Sequence, residues 1–178
     1  MPDRRIVKAS ARATPLLLDI VESTAHLTES TLHTRRVEDA IEAASATDLS
    51  LGHCSYFIGF EDHLPFGFIG LGAREECGEV VGPYLYRDYL RKGYGSFLVN
   101  HLLEIAEDID LHIFFVLASQ NDPSIVPFFT HNGFEVISDD PEVISRWRDG
   151  LLADHELVRG SILLARLVDR MSRENDSR

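Results

Sequence analysis

Residues Gly82 to Phe97 read G-P-Y-L-Y-R-D-Y-L-R-K-G-Y-G-S-F. A short β-prone run (Val80, Val81, Tyr84, Leu85) passes through a basic turn (Arg87, Arg91, Lys92) into Gly93-Tyr94-Gly95, and an amphipathic helical pattern starts at Ser96. The order is strand, glycine loop, helix. Two glycines let successive N–H groups face one concavity, and the N-terminus of the following helix adds free donors and the positive end of its dipole. Such a nest suits a phosphate or pyrophosphate, and Arg91 and Lys92 add positive charge beside it. The same glycines also serve a plain tight turn, so the loop alone leaves both readings open. Spacing excludes the two best-known phosphate loops: no glycine is followed directly by Lys, as a P-loop requires, and Leu98 stands where the dinucleotide fingerprint wants its third Gly.

The chain around this stretch is 178 residues long, 44% hydrophobic and 9% aromatic, which suits one domain with a substantial core. A net charge of −12 argues against a nucleic-acid partner and makes a cationic one, such as an amine, the easier expectation. Cys54 and Cys77 cannot build a disulfide framework and form no C-x-x-C pair. They read as reduced, core-filling thiols, and the expected compartment is cytoplasmic. No apolar run approaches the roughly 18 residues that span a bilayer, and the N-terminus carries no signal-peptide pattern, so no membrane role is expected. The expected organisation is a single domain over residues 1–171 with a polar, flexible tail over 172–178.

Upstream, Arg4 to Ala9 reads as a strand, and Thr14-Pro15 as a helix start with Thr14 as the cap. A second helix is expected from Arg36 to Ala46. Tyr56 to Phe60 and Phe66 to Leu71 form a hairpin about a turn at Glu61 to Pro65, and Glu79 to Leu85 returns as the third strand of a meander. Downstream, Ser96 to Glu107 is an amphipathic helix, and Leu111 to Ala118 is apolar enough for a strand buried on both faces. Strand, helix and strand with short connections imply a parallel crossover between Glu79–Leu85 and Leu111–Ala118. A helix bearing Ile125, Val126, Phe128 and Phe129 then ends at Asn132 with Gly133 as its C-cap glycine, followed by a strand over Phe134 to Ile137. Glu142 to Leu152 reads as helical. Leu157 to Leu167 is a strand or a last helix; the strand is preferred for Leu157 to Leu164.

A meander, the loop R-K-G-Y-G-S, a helix, a buried strand, Asn121 and then F-F-T-H-N-G-F together resemble the GNAT superfamily of acyl-CoA-dependent N-acetyltransferases, over roughly Tyr56 to Ile137. The resemblance implies an α/β fold of the α+β type: a mixed, mostly antiparallel sheet whose central parallel strands splay apart, flanked by helices. It implies acetyl-CoA in the splay as cosubstrate, with no metal. Pro83, Tyr84 and Leu85 would pair with the pantetheine arm, the N–H groups of Arg91, Lys92, Gly93, Tyr94, Gly95 and Ser96 would hold the pyrophosphate, Asn121 would face the pantetheine end, and Phe128 would also belong to the cofactor site. Three departures stand out. Leu90 replaces the family's usual Gln or Arg three residues before the loop's first glycine. Phe129 stands where a Tyr often protonates the departing thiolate, which a phenyl ring cannot do. The interval from Asn121 to Gly133 is one residue longer than the commonest pattern.

Amide formation from a thioester needs a neutral amine and a polarised carbonyl. The Leu85 N–H is the expected oxyanion donor. Glu79 and Glu61 are the candidate bases, and each reads equally well as a solvated strand-end carboxylate; His112 reads as surface or packed. Tyr84, Tyr86, Tyr89, Tyr94, Ser119 and solvent are all candidates for the thiolate acid. Scattered His residues without H-E-x-x-H argue against a metal, and the absence of Gly-x-Ser-x-Gly argues against a serine hydrolase. The leading expectation is therefore an N-acetyltransferase acting on a primary amine of a small molecule or peptide. The alternatives are a CoA-binding sensor or partner domain with weak or no turnover, and a structural module that binds no CoA. The sequence carries no acceptor motif, and a homodimer is possible without a residue that proves it.

Overall fold

The computed structural model describes residues 3–25, 54–74, 76–109, 111–120, 122–151 and 160–168. The expected helix over Arg36 to Ala46, the position of Asn121 and the tail over 172–178 lie outside them. Strand β1 (Arg4–Lys8) is followed by a short 3₁₀ turn and helix α1 (Thr14–Ala25). Then come β2 (Cys54–Glu61), β3 (Leu64–Arg74), β4 (Cys77–Leu85), α2 (Tyr94–Asp108), β5 (Ile113–Ser119), α3 (Ile125–His131), β6 (Glu135–Ser138), α4 (Pro141–Leu151) and β7 (Ser161–Leu167).

The strands make one mixed sheet in the order β1-β2-β3-β4-β5-β7-β6. All neighbours are antiparallel except β4 and β5. That parallel pair is short. It runs only from Cys77↔Ile113 to Glu79↔Phe115, after which β4 continues to Leu85 without β5 and β5 pairs onward with β7. The expected splay is therefore present, with Glu79 at its vertex.

Alternation along β4 divides the core. Val80 and Leu85 face the side covered by α2 and α3, where Phe57, Phe66, Leu98, Leu102, Phe114 and Phe129 are buried together. Tyr84 faces the side covered by α1, against Ile20, Val21, Ile58 and Phe68. The α4 residue Ile144 packs with Phe115 and Leu163. Leu98 and Leu102, four residues apart on one face of α2, show why that segment is helical: the 3.6-residue period places its apolar stripe on the sheet. Each such fully buried side chain is worth roughly 1.5–3 kcal/mol.

Several boundaries differ from expectation for local reasons. Thr14 is not an extended cap residue; it lies in helical conformation where a 3₁₀ turn over Ala11–Ala13 runs into α1, and its hydroxyl donates to the Ala11 carbonyl. The hairpin turn is Asp62-His63 alone, both at positive φ (46° and 75°), as a two-residue turn matching strand twist requires. Helix α2 begins at Tyr94 rather than Ser96. The last strand, in place of a helix, is Ser161–Leu167 and lies between β5 and β6; the Leu157 end of the expected strand is outside the described residues.

Gly133 ends α3 as expected. Its φ is +81°, its N–H donates to the Thr130 carbonyl, and the Phe134 N–H donates to the Phe129 carbonyl. A Cβ there would also meet Arg166 Nη1 at 3.1 Å. Gly133→Ala is expected to cost about 1–2 kcal/mol, read as a lower urea midpoint with an unchanged m-value.

Candidate active site

The site is built on the part of β4 beyond Glu79, where its ladder with β5 has ended. Its register with β3 shifts between the Gly70↔Val81 and Phe68↔Tyr84 pairs, where Gly82 takes a φ of +94°. Such a bulge bends the strand and increases its twist. Beyond it, the Tyr86 N–H donates to the Phe66 carbonyl of β3 at 3.0 Å. Because successive strand N–H groups alternate between edges, the Leu85 N–H is directed to the opposite edge, into the splay.

After Leu85 the chain makes a 3₁₀ turn over Arg87–Tyr89 and reaches the glycine loop. Leu90 packs against the α2-side core, so the residue replacing the usual polar one anchors the loop by its apolar side chain. Arg91 (φ 57°) and Gly93 (φ 84°) are left-handed, and Arg91 and Lys92 are exposed. The helical ladder starts only where the Phe97 N–H donates to the Gly93 carbonyl at 3.0 Å. The N–H groups of Tyr94, Gly95 and half-buried Ser96 therefore have no carbonyl within the helix, the condition for an anion site at a helix N-terminus.

The two glycines do different work. At Gly93 a Cβ would meet nothing within 4 Å, so conformation alone favours glycine there. At Gly95 a Cβ would lie 3.0 Å from the Phe128 ring and 3.4 Å from Pro83 Cγ. Strand β4, the loop and α3 thus close on one another at Gly95, where Pro83, Gly95 and Phe128 lie together. Asn121 lies outside the described residues and carries no geometry here.

Glu79 differs from the solvated strand-end carboxylate that the sequence left open. It is the third residue of β4, only 9% exposed, and burial pushes its pKa up to about 7. Glu61 differs too. Its Oε1 accepts the Tyr94 hydroxyl at 2.6 Å and Arg4 Nε at 3.1 Å, so it is tied into a structural network. The Tyr94 hydroxyl is thereby engaged by Glu61. Tyr86 donates its hydroxyl to Asp19 Oδ2 of α1, and burial, with Asp19 beside it, raises its pKa. Tyr84 is buried against Phe68 at 5.1 Å, and burial raises its pKa as well. Phe129 is fully buried, edge-on to Phe128 and Phe134 at 5.0 and 5.1 Å. The ties of Tyr94 to Glu61 and of Tyr86 to Asp19 bridge 33 and 67 residues, and no local pattern in the sequence signals either.

Among the described residues no group of three His, Cys, Asp or Glu side chains could hold a metal ion, and no helix is long and apolar enough to cross a membrane.

Residues 19–134 match the family described as Acetyltransferase (GNAT) family. No curated protein matches the chain by sequence. Among solved structures, the PaiA N-acetyltransferase from Thermoplasma acidophilum in complex with coenzyme A superposes with a TM-score of 0.68 at 15% identity, covering 93% of this chain and 99% of that one. The ribosomal-protein-S18-alanine N-acetyltransferase from Escherichia coli gives 0.66 at 12% identity, covering 97% and 98%. The N-acetylglutamate synthase from Neisseria gonorrhoeae, complexed with coenzyme A and N-acetyl-glutamate, gives 0.63 at 19% identity, covering 94% of this chain and 36% of the larger one. At these identities the likeness is one of fold.

Proposed function

The chain belongs to the GNAT acetyltransferase family, and on that premise we propose that it moves an acetyl group from acetyl-CoA to a primary amine by direct attack of the amine on the thioester. The observation that carries this reading is the parting of β4 from β5 after Glu79, with β4 running on into a glycine loop whose helix-terminal N–H groups lack helical partners. Where the two strands part, β4 can receive an extended amide-bearing arm as an added strand, and the loop can receive its pyrophosphate. Gly95 lets the loop approach its supports: a side chain there would press on the Phe128 ring and on Pro83.

In this reading the bound cosubstrate supplies an activated acyl group on a thiol leaving group. The chain supplies the rest. Pro83, Tyr84 and Leu85 align the pantetheine arm, and Arg91 to Ser96, with the Lys92 and Arg91 charges, hold the pyrophosphate. The Leu85 N–H donates to the carbonyl oxygen as negative charge develops there. Glu79 accepts the proton that the bound ammonium must lose before its neutral amine attacks, at a pKa suited to a base working near neutrality. Glu79 and Leu85 are six residues apart, up to roughly 20 Å of extended strand, so the proton reaches Glu79 through water rather than by direct contact. The net charge of −12 favours a cationic acceptor.

Calorimetric titration with acetyl-CoA and with CoA tests the reading. Micromolar binding is expected, followed by free-thiol release across a panel of amines; no binding to either ligand overturns it. The second reading, a CoA-binding sensor without turnover, is favoured by one observation, the buried phenyl ring of Phe129 in the place of a proton donor. Binding without turnover across the panel would select it. Phe129→Tyr is expected to leave acetyl-CoA affinity unchanged, to cost about 1–2 kcal/mol of stability for a hydroxyl placed in an apolar site, and to raise turnover up to tenfold. An unchanged rate assigns the thiolate proton to another group.

A further inference from the structure

The glycine loop is held from the far edge of the sheet. Arg4 and Glu61 are opposite residues in the β1–β2 register, so their side chains share a face. It is the α2 face, because Ile6, two residues along β1, and Phe57, four residues back along β2, both pack in the core beneath α2. From that face Glu61 Oε1 accepts both Arg4 Nε and the hydroxyl of Tyr94, while the Arg4 guanidinium lies 4.2 Å from the centre of the Tyr94 ring. Tyr94 is buried, its ring 4.8 Å from Phe66 and 5.0 Å from Tyr89. Phe66 can occupy that position because Gly59 leaves the space: a Cβ on Gly59 would stand 2.1 Å from the Phe66 ring.

Tyr94 is the middle residue of Gly93-Tyr94-Gly95 and the first residue of α2. A Cβ at Gly93 would meet nothing within 4 Å, and Arg91 to Gly93 are exposed. The Tyr94 side chain is therefore the anchor that fixes the direction of the loop's N–H groups, and a charged, partly desolvated acceptor holds its hydroxyl more strongly than water would. We infer that Glu61 is a positioning residue for acyl-CoA binding: with Arg4 it clamps the Tyr94 side chain and so preorganises the N–H groups of Tyr94, Gly95 and Ser96 for the pyrophosphate. This rests on the acetyl-CoA reading above. The network lies on the β1 side of the sheet, away from the splay where the acyl group reacts, so its effect is confined to the pyrophosphate.

The test separates that effect from general stability. Tyr94→Phe keeps the ring and removes only the hydroxyl; Glu61→Ala removes the acceptor; Glu61→Gln keeps an acceptor and loses the charge. Calorimetry and ligand-observed NMR would follow three probes: acetyl-CoA and ADP, which carry the pyrophosphate, and S-acetylpantetheine, which does not. Tyr94→Phe and Glu61→Ala are expected to bind acetyl-CoA and ADP about tenfold more weakly, with S-acetylpantetheine unchanged and Glu61→Gln in between. Unchanged ADP affinity, or a loss shared equally by S-acetylpantetheine, overturns the inference even if the melting temperature falls. Failure of the unsubstituted protein to bind acetyl-CoA is a different result: it overturns the proposed function, and this inference with it.

Discussion

Gly93→Glu is expected to weaken acetyl-CoA binding more than a hundredfold while leaving a folded protein. Nothing lies within 4 Å of a Cβ at this position, so the new side chain displaces no packed atom. Its structural cost is the left-handed backbone, φ 84°, worth about 1–2 kcal/mol for a residue with a Cβ. Its cost to the ligand is larger. A carboxylate beside the N–H groups of Tyr94, Gly95 and Ser96 occupies the anion site from within, and it repels a pyrophosphate at the helix N-terminus where anions otherwise gain. Alanine substitutions separate conformation from access. Gly93→Ala pays the backbone cost in open space and is expected to lose only a few-fold in affinity. Gly95→Ala pushes a methyl group to 3.0 Å from Phe128 and 3.4 Å from Pro83, so it displaces the loop from its packed supports and is expected to lose more. Calorimetric titration of the three variants, with circular dichroism to verify the fold, reads these differences. Unchanged affinity in Gly93→Glu would remove the loop from the site and return it to a plain turn.

The loop was legible because its signals are local. A β-prone run, two glycines and a helical period follow each other within sixteen residues, and the glycine after Asn132 marks its helix end in the same way. What the sequence hid is non-local. Glu79 reads as a strand-end carboxylate because Cys77 and Gly78 carry little strand propensity. The strand nonetheless starts at Cys77, and pairing with β3 and β5 on either side places Glu79 inside the sheet. Glu61 reads as a second candidate base because nothing near it predicts that Arg4 and Tyr94, 57 and 33 residues away, will claim its oxygen. The position of β7 between β5 and β6 is likewise a matter of assembly, since its own apolar pattern fits either a strand or a helix. Thr14 shows the reverse error: a valid local cap signal was overridden when the preceding Ala11–Ala13 turn carried the chain into the helix.

Burial of Glu79 makes one residue answerable to two measurements. Its pKa of about 7 when folded, against an ordinary 4.5, means that the folded chain holds the proton where the unfolded chain has released it. The stability this group contributes is fully present below pH 4.5 and is lost as pH rises through about 7, because an ionised carboxylate is unfavourable in that environment. Glu79→Gln removes the titration. The variant is therefore expected to be more stable than the parent by less than about 1 kcal/mol at pH 5 and by about 3 kcal/mol at pH 8, as read by urea unfolding. In the same variant kcat/KM for a primary amine is expected to fall about a hundredfold at pH 7, and the rising limb that inflects near pH 7 in the parent is expected to vanish. The opposite signs are the point: a residue kept only for packing would not gain stability and lose turnover over one pH window. A stability difference constant from pH 5 to pH 8 would show that Glu79 does not titrate near 7. A limb that persists near pH 7 in Glu79→Gln would place the base on another group.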